Sequence, residues 1–79
     1  MDSIYIIKDN NEMEKMEVVT VFNISNSDYN YIIYKPLDNN DDYYVGKYIG
    51  DNLSDLITDL SVDELNYAKG IYDALVGDK

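Results

Sequence analysis

The chain has 79 residues, enough for one domain around a small core, and it contains no cysteine and no histidine, so disulfides and the usual zinc ligands cannot reinforce that core. Sixteen acidic residues face six lysines and no arginine, a formal charge of -10. A surface of that sign argues against binding the phosphate backbone of nucleic acid or an anionic membrane, since both need clustered cations.

Ile4 to Ile7 is an apolar run of β-formers, closed by Asp9, Asn10 and Asn11, residue types that tolerate turn conformations; it predicts a first strand over about 4–8. Glu12 to Glu17 is polar, and Val18 to Ile24 is dense in β-branched and aromatic side chains, so the second strand is expected over about 16–24. After a turn at Ser25 to Asp28, the third strand is expected over about 29–35, with Tyr31 and Ile33 on one face and Ile32 and Tyr34 on the other. Pro36 cannot donate to a ladder and ends that strand. A polar run, Asp38 to Asp42, then leads into a fourth strand over about 43–49, where Gly46 is a candidate bulge.

The period changes toward the C-terminus. Ser61 and Glu64 have the spacing of a capping box, and Val62, Leu65, Ala68, Ile71, Tyr72 and Leu75 fall on one stripe of a helix over about 62–76, stopped by Gly77. Residues 51–60 have two readings. Leu53, Leu56, Ile57 and Leu60 have helical spacing, while a short fifth strand near Leu56 to Thr58 is the rival. Together these elements predict an α+β domain, a four- or five-stranded antiparallel meander with one C-terminal helix packed on one face.

Chemistry is poorly provided for. Without histidine or cysteine the commonest bases and nucleophiles are missing, and a small sheet-and-helix domain leaves little volume for a pocket around paired carboxylates. Asp38, Asn40 and Asp42 alternate like the first three ligands of a calcium loop, but Tyr43 stands where that loop needs glycine and Ile49 where it needs a bidentate glutamate. The four glycines are scattered and make no phosphate cradle. No catalytic residue, metal site or cofactor is therefore expected. Nine tyrosines remain, several in strands that cannot all face a helix, and tyrosine is favoured at protein interfaces. The expected contact surface is Asp38, Asp41, Asp42, Tyr43 and Tyr44, with Tyr34 and Tyr48.

The order YIIYKPLDNNDDYYVGKYIGDN, followed by LITDLSVDELNYAKGIYDAL, resembles the uncharacterised bacterial domain of unknown function family 1292. Tyr31 to Tyr34, Asp38 to Asp42, Val45 to Tyr48, Leu56 with Ile57, and Asp63 to Leu65 carry the likeness, which extends from about Ile4; Pro36 and a longer run before the helix depart from it. The resemblance implies a bacterial, intracellular, mostly β protein with a C-terminal helix and no established activity, and it favours the strand reading near Leu56. The N-terminal Met1, Asp2 and Ser3 lack the basic start of a signal peptide, so a cytoplasmic protein is expected. Its expected action is non-enzymatic contact with another protein, one of basic character. The alternative is an inhibitor whose carboxylates imitate phosphates in the basic cleft of a DNA- or RNA-binding protein.

Overall fold

The computed structural model describes residues 3–7, 11–37, 43–51, 53 and 56–77. Four strands, β1 (Ser3–Ile7), β2 (Met13–Asn23), β3 (Asn30–Pro36) and β4 (Tyr44–Tyr48), form one antiparallel sheet in chain order, and a helix, α1 (Val62–Val76), follows. This is the α+β meander that the sequence predicts, with four strands. The fifth shrinks to one bridge, in which Ile57 exchanges hydrogen bonds of 2.8 and 2.9 Å with the backbone of Lys47 on the outer edge of β4.

Strand β2 begins at Met13, earlier than the expected 16, because all five residues of β1 draw partners from it, from Ser3 opposite Glu17 to Ile7 opposite Met13. Polar composition alone hid this extension, for the pair lies at the margin of the sheet where Glu12 and Lys15 stay exposed. The bulge is also in β2 and not at Gly46: the pairing with β3 shifts between Val18 and Thr20, while Gly46 sits in regular register opposite Ile32. The shift inverts the alternation of β2. Met16 and Val18 face one side of the sheet, and beyond the bulge Phe22 faces the other, opposite Tyr31.

Two layers result. On one face Ile4, Met16, Ile32, Tyr34 and Tyr48 form the principal core, against which Ile6, Val18, Leu53 and Leu56 pack. Gly46 has no Cβ because Leu56 lies directly on it; a Cβ there would sit 2.7 Å from Leu56 Cγ. The other face carries Tyr31 and Ile33, both essentially buried, and receives α1. Rings make much of that contact: Tyr67 stacks on Phe22 at 5.8 Å, Phe22 on Tyr31 at 5.3 Å, and Tyr72 on Tyr43 at 3.9 Å.

Helix α1 starts as its sequence requires, with the Ser61 hydroxyl accepting from the Glu64 amide and the Glu64 carboxylate accepting from the Ser61 amide. Its C-cap is Gly77. The Gly77 backbone is right-handed and its N–H donates to Asp73 O at 2.7 Å, an approach so close that a Cβ would strike the same oxygen. The predicted apolar stripe is covered only at its centre: Ala68 is fully buried, whereas Val62 and Leu75 are 71% and 54% exposed.

Candidate functional site

Among the described residues two places are chemically distinctive. The first is a polar cluster under the start of α1. Phe22, Tyr31 and Lys47 are successive cross-strand neighbours on β2, β3 and β4, so the sheet presents a ring, a phenol and an ammonium in one row. Glu64 reaches down into this row from the first turn of the helix. Its Oε2 accepts from Tyr31 Oη at 2.6 Å and from Lys47 Nζ at 2.9 Å, while Oε1 holds the Ser61 amide at 2.8 Å. Lys47 Nζ also lies 4.5 Å from the centre of the Tyr29 ring, and Tyr31 Oη is 3.3 Å from the Ser27 hydroxyl.

Charge states follow from these contacts. The Tyr31 hydroxyl, then Lys47 and the Ser61 amide, hold the Glu64 carboxyl down to about 2. Burial first, and then the neighbouring carboxylate of Glu64, push the Tyr31 phenol up, and the hydrogen bond to Glu64 raises Lys47. Near neutral pH the cluster is a carboxylate, an ammonium and a neutral phenol, each with its partners satisfied. Such a group clamps the helix to the sheet. The carboxyl is held below its ordinary range and the ammonium and phenol above theirs, so the contacts fix all three charge states near neutral pH.

The second place is on the opposite face. Leu53 and Leu56 cover β4 and part of β3 but stop short of β1, and the uncovered strip is a groove of about 540 Å³. Ile4, Ile6, Tyr34, Leu53 and Leu56 line it, with Thr58 at one side and Tyr5 and Met13 at the other. Tyr5 and Met13 border it only at the strand edge, for by register they belong to the opposite face of the sheet, where they are 60% and 63% exposed.

Of the residues singled out in the sequence, four are among the described ones, and they divide between the two faces of the sheet. Asp38, Asp41 and Asp42 lie outside the described residues, as does the calcium-like alternation they share with Asn40. Tyr34 and Tyr48 are core residues, buried because their strand positions point at Ile32 and Met16 rather than outward. Tyr43 is half-buried under Tyr72, and Tyr44 is exposed beside Tyr34, the two rings 5.8 Å apart. Among the described residues no three acidic side chains are grouped to hold a metal ion, and no helix is long and apolar enough to cross a membrane.

Comparison with protein-family models, with curated proteins and with solved structures finds no match. Site and charge therefore carry the functional reading. Neither place was legible beforehand. The capping box reveals the first task of Glu64, but Tyr31 and Lys47 are 33 and 17 residues away in the chain, and no local pattern links them. The groove is a gap between elements, which periodicity does not encode.

Proposed function

We propose that the protein acts without catalysis, by contact with a partner protein, and that the groove beside β1 is the centre of that contact. One observation supports this above the others: an apolar depression of about 540 Å³, lined by Ile4, Ile6, Tyr34, Leu53 and Leu56, on a domain with so little surface to spare. Interfaces are commonly built this way, around an apolar or aromatic anchor in a pocket with a polar rim. The rim here favours a basic partner. Asp51 and Asp59, close in the chain to Leu53 and Thr58, are both exposed, and the whole chain carries -10.

Nucleic-acid mimicry is the second reading. It draws support from the lysines: Lys35, Lys47 and Lys69 are each within 4.0 Å of a carboxylate of the same chain, so they do little to interrupt the negative surface.

The two readings separate in one experiment. Affinity capture from the native cells is run with the wild-type chain and with Thr58→Arg, an exposed substitution at the groove, in low and high salt. Groove binding predicts a partner that survives high salt and is lost with Thr58→Arg while the melting temperature is unchanged. A nucleic-acid-binding partner that leaves in high salt and ignores Thr58→Arg supports mimicry and overturns the groove.

A further inference from the structure

The two edges of the sheet are finished differently. On the outer edge of β4 the Lys47 backbone is already occupied by Ile57, through both its N–H and its C=O. Strand β1 is the opposite edge, and among the described residues nothing pairs with its outer side. Soluble proteins normally guard such an edge with a charge, a proline or a bulge. Ser3–Ile7 has none of these: SIYII is uncharged, rich in β-formers and in unbroken register with β2.

We propose that two copies of the chain pair through β1, antiparallel about a two-fold axis at Tyr5, to make one eight-stranded sheet from the two four-stranded ones. The strand is self-complementary in that register. Ile4 of one copy meets Ile6 of the other, Ser3 meets Ile7, and Tyr5 meets its own counterpart. Ile4 and Ile6 share the groove side of β1, so the two grooves join across the axis and stay open. Tyr5, 60% exposed in the single copy, gains a cross-strand aromatic partner. The strand fits a second copy of this chain because its apolar pair, Ile4 and Ile6, is symmetric about Tyr5, so each copy offers the other the same uncharged edge.

The net charge opposes this association, since each copy brings -10. The contact is also short. Both features predict a weak dimer whose affinity increases with salt, the reverse of what steering by opposite charges gives. The inference shares β1 with the partner-binding proposal but uses the strand edge rather than the groove, and Thr58→Arg, which leaves β1 untouched, tells the two apart.

Sedimentation equilibrium tests it on the intact chain. Dimer is expected to strengthen on the order of tenfold between about 20 mM and about 500 mM salt. Tyr5→Lys and Tyr5→Glu, each placing like charges face to face on the axis, are expected to be monomeric alone and to form a heterodimer when mixed. Because the chain has no cysteine, Tyr5→Cys supplies a single thiol, which should close an intermolecular disulfide under mild oxidant far faster than Val62→Cys on the exposed flank of α1. A wild-type chain that stays monomeric at about 1 mM in high salt overturns the proposal and leaves the β1 edge to a strand of a different protein. Equal crosslinking of the two thiol variants overturns it as well, even where the charged variants fail to fold.

Discussion

Glu64 serves three partners with one carboxylate, and removing its charge separates those services. Glu64→Gln can accept from Tyr31 or from the Ser61 amide but no longer pairs with Lys47, so its expected cost is about 1–3 kcal/mol, read as a lower urea midpoint at neutral pH. The same contacts set a pH window. A carboxyl held at about 2 in the folded chain, against 4.5 when unfolded, adds stability that is complete above pH 4.5 and declines as the pH falls toward 2, because the unfolded chain takes up the proton first. The gap between wild type and Glu64→Gln should close over that interval; a constant gap would mean that the charge is not what the clamp uses. At the alkaline end the signs run the other way. Tyr31 and Tyr34 are raised above 10, by burial first in both cases, so what they contribute is complete below pH 10 and is lost above it. The glycines make an opposed pair. Gly70 has open space where a Cβ would go and lies inside α1, so Gly70→Ala is expected to stabilise by about 0.5–1 kcal/mol, a rise of roughly 4 °C in melting temperature. Gly46→Ala forces Leu56 off the sheet and is expected to cost about 1–3 kcal/mol.

At the scale of elements, what could be read in advance was whatever one segment decides alone. The four strands, the turn at Ser25 to Asp28 and the capping box at Ser61 each rest on neighbouring residues, and each stands where expected to within a few positions. Features decided between segments were hidden. The early start of β2 comes from the need of β1 for partners, the bridge at Ile57 from the free edge of β4, and the burial of Tyr34 and Tyr48 from Leu53 and Leu56 lying across that face. The bulge is the clearest case. Met16, Val18 and Phe22 alternate as if they shared a face, and only the pairing with β3 shows that one residue between Val18 and Thr20 is extra and that Phe22 belongs under the helix. Deleting Val19 should therefore be tolerated: Val18 stays opposite Tyr34, Thr20 opposite Ile33, and every later side chain keeps its face, at an expected loss below about 2 kcal/mol from altered twist. Deleting Ile33 inverts the rest of β3, turns core positions outward and should abolish the cooperative urea transition. Equal tolerance of both deletions would show that the register does not organise the domain.

Charge acts at the scale of the whole molecule, and its sign at a given site depends on what the fold places beside it. With -10 on a small domain, most acids repel one another, and screening should raise the melting temperature as salt is added. Asp59 and Asp63 are only four positions apart, and both are exposed, so composition treats them alike. Their surroundings do not. Asp63 is in the first turn of α1, where unpaired N–H groups and the positive end of the helix dipole favour an anion, an effect worth about 0.3–1 kcal/mol. Asp59 precedes the helix cap and has no lysine partner among the described ion pairs, so it contributes mainly to the repulsion. Asp63→Asn is accordingly expected to lower the urea midpoint at low salt and Asp59→Asn to raise it, by a few tenths of a kcal/mol. Both effects should fade as salt is raised to about 500 mM, where exposed charges are screened within a few ångströms. Shifts of the same sign at low salt would mean that general repulsion outweighs the helix terminus, and that the acidity of this chain is a single uniform load on its stability.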